Sequence, residues 1–239
     1  MPSKTFDIDD IGQVRVVKSK RSRNLRISIR PDGIVRVSTP SWISYGHALD
    51  FVVSRKHWIQ KNQDKLEVLS DGDRIGKAHR IVTIPASVRR PNTRIIDNRI
   101  VMKHPYAAEV SSNPIQKLLL KKSIEALTIE ASALLPNRLA NLARENGFSY
   151  KSVQIKTLRS RWGSCNSQNE ITLSCFLMQL SWKEIDYVII HELAHTQVMA
   201  HDKDFWKIVA DVIPDVKEVK RELRTKKPQV VGQKFQAMA

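Results

Sequence analysis

The sequence predicts an α+β protein: a small β-rich N-terminal part, then a domain of long helices around a small sheet and one histidine-bearing helix. Three observations predict it. Between residues 13 and 38 apolar and basic residues alternate, as in strands buried on one face. From Asn113 onward apolar residues recur at helical spacing through Leu118, Leu119, Ile124, Leu127 and Leu134. Further on, HELAHTQVMAH (residues 191–201) sets His191 and His195 four apart around Glu192.

Taken in order, VRVVK, LRISIR and GIVRVSTP read as strands, with Pro31-Asp32-Gly33 as a hairpin turn between the last two. One face is expected to be buried and the other basic. A helix follows from Ser44 to about Leu66, with Phe51, Val52, Trp58 and Ile59 inward. Asp71-Gly72-Asp73 makes a turn before short strands near 80–85, 93–97 and 99–103. Asn113 and Pro114 open the long helix as N-cap and first helical residue, and Pro136 is expected to break or kink it before Gly147 ends it. VQIKTL (153–158) and EITLS (170–174) read as a hairpin joined by RSRWGSCNSQN. The histidine helix spans about 182–198, opened by a capping box of Ser181 and Glu184. Asp202 caps a helix over 203–212, a last helix covers 215–225, and the remainder reads as a loose tail. The expected division is a β-rich basic region over 1–110, a second domain over 111–225, and a flexible tail over 226–239.

Composition bounds the function. At 239 residues, 41% hydrophobic and 27% charged, the chain suits a soluble globular protein of one large or two small domains. MPSKTFDIDD has no apolar leader core, and no apolar run is long enough to span a bilayer, so the expectation is cytoplasmic with no membrane partner. Cys165 and Cys175 make neither a disulfide framework nor a CxxC pair. The net charge is +16, and residues 11–31 hold many bases and no acid. Lys18, Lys20, Arg21, Arg23, Arg26 and Arg30 are candidates for binding nucleic acid or another polyanion; an ordinary solvated sheet face is the competing reading.

On a helix His191 and His195 lie one turn apart, about 40° around the axis, and both can reach one cation. Glu192 points off that line, placed to take a proton from a metal-bound water without being a ligand. A straight helix would carry His201 about 120° away from His195, so the chain must turn for His201 to become the third ligand. The cap at Asp202 allows that turn; Glu218 and Glu222 are the other downstream donors. Three imidazoles and a water make an open tetrahedral site for one Zn²⁺ per chain. Arg161, Ser164 and Tyr187 are candidate substrate or oxyanion residues, while Trp162 and Gly163 read as shaping the loop. Helix, small sheet and histidine helix follow the order of a zincin half-domain, whose sheet edge can pair with an extended peptide. The 153–174 hairpin is the expected edge.

SRWGSC (160–165), IDYVIIHELAH (185–195) and HDKDFW (201–206) resemble the YgjP-like metallopeptidase family, related to the SprT-like zincins. RSRNLRISIRPDGIVRVSTP (21–40), Trp58-Ile59 and DGDRIGK (71–77) fit as well, so the resemblance runs from about residue 13 to 224. It implies a zincin-like metallohydrolase domain with His191, His195 and His201 as ligands and Glu192 as base. The ligand spacing matches HExxHxxGxxH of metzincins, but Val198 stands at the Gly position. The implied function is a zinc-dependent hydrolase, a metallopeptidase acting on peptide or protein through a zinc-bound water activated by Glu192. Some family members are described as nucleotide pyrophosphatases, so a nucleoside triphosphate pyrophosphohydrolase on the same metal site is an alternative. A nucleic-acid-binding module with a structural metal is another. The chain lacks a GxxxxGK[ST] phosphate loop, which weighs against tight nucleotide binding.

Overall fold

A computed structural model of the chain describes residues 2–29, 34–63 and 68–233. It is a mixed α and β structure of small sheets and several helices, with a β-rich N-terminal part. The chain forms two compact units, Met1–Val68 with Ser111–Leu120, and Leu69–Val110 with Lys121–Ala239. Among the described residues no helix is long and apolar enough to cross a membrane.

In the first unit, β1 (Ser3–Ile8), β2 (Gly12–Ser19), β3 (Arg26–Ile29) and β4 (Val35–Pro40) form one sheet in the order β1-β2-β4-β3. β2 and β4 run parallel and set Val14 beside Val35 and Val16 beside Val37, all fully buried. On these the helices α1 (Tyr45–Ser54) and α2 (Lys56–Gln63) lay Ala48, Val52 and Ile59. β1 was not expected, because its exposed residues hide the alternation of an edge strand; only Phe6 and Ile8 pack inward. The Pro31-Asp32-Gly33 turn lies outside the described residues, although β3 and β4 pair antiparallel as that turn requires. The single helix expected over 44–66 is two helices divided at Arg55, for which the sequence offers no breaker. Val52 and Ile59, seven apart, stay on the buried face, Phe51 is half-buried, and Trp58 is 48% exposed rather than inward.

In the second unit, β5 (Arg74–Ile75), β6 (His79–Ala86), β7 (Asn92–Ile96) and β8 (Arg99–Pro105) form a sheet in the order β5-β6-β8-β7. Its β5–β6 turn closes on the long helix α3 (Asn113–Glu145) through one buried carboxylate. Glu130 accepts the backbone N–H of Lys77, Ala78 and His79, and its Oε1 lies 2.6 Å from His79 Nδ1. Three fixed donors satisfy a carboxylate that would otherwise be costly to bury. Gly76, at φ +68°, is required there, since a Cβ would collide with that carboxylate.

α3 does not break at Pro136. The proline leaves the carbonyl of exposed Ser132 without its helical donor, where water can replace it. Leu135 and Leu139, fully buried on either side, hold the helix through. Gly147, at φ +68°, ends it, with Phe148 N–H returning to Ala143 O.

The small sheet holds β9 (Ser152–Lys156), β10 (Gly163–Cys165) and β11 (Glu170–Ser174) in the order β10-β11-β9. Here the expected hairpin is corrected: β9 and β11 pair parallel, and the loop between them supplies β10, antiparallel to β11. The edge strand is therefore part of SRWGSC. Three helices complete the unit: α4 (Trp182–Ala194), α5 (Lys203–Val212) and α6 (Val216–Arg224). Residues 226–233, read from sequence as loose, are tied back. Lys226 Nζ lies 2.7 Å from Glu184, Gln179 Nε2 donates to Val231 O at 2.6 Å, and Gln233 exchanges backbone bonds with Arg74.

Candidate metal centre

The site is carried by α4, which is buried nearly all round: Ile185, Val188, Ile189, Ile190 and Leu193 are at most 4% exposed. Ser181 caps it, accepting from Glu184 N–H, while the Glu184 carboxylate accepts from Ser181 N–H at 2.9 Å. Arg138 of α3 clamps Asp186 with two bonds of 2.7 and 2.5 Å, fixing the helix lengthwise.

α4 ends at Ala194 and not near residue 198. Thr196 and Gln197 bond back three residues, the chain turns, and Asp202 Oδ1 accepts from Phe205 N–H at 3.0 Å to start α5. That early stop swings His201 back over the helix. Its Nε2 comes within 3.1 Å of His191 Nε2, and one ring nitrogen each from His191, His195 and His201 lie within 4.8 Å of one another.

The donors suit a divalent metal. Imidazole ligands at about 2.0–2.1 Å in a tetrahedron sit roughly 3.3 Å apart, close to the spacing of His191 and His201. His195 Nδ1 lies 3.2 Å from Val198 O; a carbonyl only accepts, so the proton sits on Nδ1 and Nε2 keeps its lone pair. Burial, reinforced by the charges of His195, His201 and Lys220, pushes His191 down to about 3, so its ring is neutral and able to ligate. His191 Nδ1 is buried without a hydrogen-bond partner among the described residues.

Under the three imidazoles lies Phe205, fully buried, its ring centroid 4.9, 4.6 and 4.7 Å from those of His191, His195 and His201. Trp206 stacks on His201 from outside, and Lys220 Nζ sits 3.8 Å from the Trp206 centroid. Neither contact was legible beyond the HDKDFW block.

Glu192 is 6% exposed and faces β10. It accepts the backbone N–H of Cys165, and a Cβ on Gly163 would come within 2.7 Å of its Oε1. Gly163, read from sequence as shaping the loop, thus makes room for the carboxylate itself. Burial raises Glu192 to about 7; the Arg161 charge and the Cys165 bond act the other way.

Beside the carboxylate opens a cavity of about 270 Å³. Arg161, Trp162 and Gly163 line one side, Tyr187, Val188, His191 and Glu192 the other, and Leu223 of α6 closes it. Of the three candidate substrate residues, Arg161 and Tyr187 are in this wall, whereas Ser164 lies on β10 opposite Thr172 and is not. Of the other two downstream donors, Glu218 is engaged by Lys183 at 3.3 Å, and neither it nor Glu222 joins the histidine cluster among the described residues.

The basic N-terminal residues belong to the first unit. Lys18 is half-buried with Nζ 4.6 Å from the Tyr45 centroid, on the strand face that carries Val14 and Val16. Arg26 projects from the opposite face, the one shared with Arg15 and Arg36, and Lys20, Arg21 and Arg23 are in the β2–β3 connection. They do not form the single basic face expected, because Lys18 has the parity of the buried valines. Arg30 lies outside the described residues.

A family model described as YgjP-like, metallopeptidase domain, matches residues 23–226. Among solved structures, the chain is similar to the metallopeptidase zymogen abylysin of Pyrococcus abyssi, 26% identical over 38% of this chain and 93% of that one, with a TM-score of 0.36. The zymogen jannalysin of Methanocaldococcus jannaschii is 13% identical over the same shares, with a TM-score of 0.35. No curated protein matches the chain.

Proposed function

Since the chain belongs to the YgjP-like metallopeptidase family, we propose that it is a zinc-dependent peptidase acting through His191, Glu192, His195 and His201. The observation that carries this reading is the convergence of three imidazole nitrogens beside a buried carboxylate. One zinc per chain, held by the three histidines, supplies Lewis-acid polarisation and a more acidic water. Glu192 takes the proton of the attacking water and returns it to the leaving nitrogen. Tyr187 offers a donor from the cavity wall toward the oxygen that gains charge. β10 pairs only with β11 among the described residues, so an extended substrate can align on its outer side. A purely structural metal would leave Glu192 without a use.

The test is a parallel assay of zinc-loaded wild type and Glu192→Gln on an unfolded protein and on nucleoside triphosphates. Peptide-bond cleavage by the wild type, lost in the variant, is the expected result. Triphosphate hydrolysis without any peptide cleavage overturns the reading.

A further inference from the structure

Resting on the peptidase reading, we propose that the cavity beside Glu192 is a specificity subsite for an acidic side chain of the substrate, held by Arg161. Size argues for a single side chain. At about 270 Å³ the cavity falls below the roughly 300–1,000 Å³ usual for whole small-molecule ligands, yet it opens directly onto Glu192 and His191. Trp162, Val188 and Leu223 give it apolar walls for a methylene stem.

Charge argues for an acid. Arg161 is exposed in the cavity wall and is in no ion pair among the described residues, although its charge acts on Glu192. Arg224, next to Leu223 but outside the lining, adds positive charge that acts on Tyr187. Lys220, the third cation acting on the site, is already engaged over Trp206. Among the described residues, Glu192 is the one acid in the cavity lining. A guanidinium in the cavity wall without an ion-pair partner favours a planar carboxylate, which it can grip with two bonds. The same charges repel Lys and Arg side chains. The Arg161 charge also offsets the repulsion between an incoming carboxylate and Glu192.

The test uses labelled peptides that carry a single Glu in a neutral sequence, with Gln and Lys counterparts, each with a free or an amidated C-terminus. Binding to zinc-loaded Glu192→Gln protein is read by fluorescence anisotropy, and cleavage by the wild type by mass spectrometry. Glu peptides are expected to bind about tenfold or more tightly than Gln peptides, the range of a charge-assisted hydrogen bond. Adding Arg161→Gln should abolish the preference, and Arg161→Glu should turn it toward Lys. Equal binding of Glu and Gln peptides overturns the proposal, as does a preference that survives both Arg161 changes. Binding that follows the free C-terminus and ignores the side chain overturns it too, assigning the subsite to the chain end. Acid-selective binding without cleavage leaves the subsite standing and removes the peptidase reading; cleavage without acid preference does the reverse.

Discussion

Glu192 sits where three constraints meet: the turn of α4 that carries His191, the amide of Cys165 and the bare Cα of Gly163. Glu192→Gln keeps volume and reach but cannot accept a proton, so zinc content should stay the same while turnover falls about a hundredfold or more. Metal analysis and kinetics on one preparation check this; a zinc-loaded variant with full activity removes Glu192 as the base. Gly163→Ala tests the contact from the other side. Its Cβ would meet Glu192 Oε1 at 2.7 Å and Cγ at 2.8 Å, so the carboxylate has to move. The expected result is a loss of about tenfold or more in kcat with zinc retained, the scale of a displaced catalytic group. The four-residue spacing of His191 and His195 was legible because helix geometry is local. Gly163 was not, because its role exists only once β10 has been brought alongside α4.

Secondary-structure elements explain the stability of the site. Ser181→Ala removes the cap of α4 and should cost about 1 kcal/mol, read as a lower midpoint in urea. Glu184 belongs to the same box. Its burial pushes the carboxyl up, but Lys226 and the Ser181 bonds outweigh this and hold it below its ordinary 4.5. A group whose folded value is depressed contributes stability that is complete above 4.5 and is lost as pH falls through the folded value. Thermal midpoints of the wild type should therefore drop more steeply below pH 4.5 than those of Glu184→Gln. Equal slopes would assign the acid sensitivity elsewhere. The caps at Ser181 and Asp202 were readable, each being a short hydrogen-bonded pattern within four residues. The pairing of β9 with β11 was not: two alternating segments look the same whether they lie parallel or antiparallel. Pro136 does not end the helix for a different reason, since the buried leucines around it outweigh one missing bond.

Across the whole molecule, the metal and the charge have separate tests. Chelation should lower the unfolding temperature, and His201→Ala should abolish stoichiometric zinc while Glu218→Ala keeps it; the opposite pattern would make Glu218 the third ligand. If Lys20, Arg21 and Arg23 bind a polyanion, reversing them together should weaken binding to duplex DNA at low salt and flatten its salt dependence, with peptide cleavage unchanged. Unaltered binding would return these residues to ordinary solvated surface. The interleaving of the two units also bears on how the chain is made. Synthesis proceeds from the N-terminus at about 5–20 residues per second, and domains ordinarily fold as they emerge. Here the first unit takes in residues 111–120, which follow the whole β5–β8 sheet, although its buried core lies within the first segment. The amides of Lys77, Ala78 and His79 in turn wait for Glu130. The β5–β6 turn therefore keeps these three amides without their buried acceptor until most of α3 has left the ribosome.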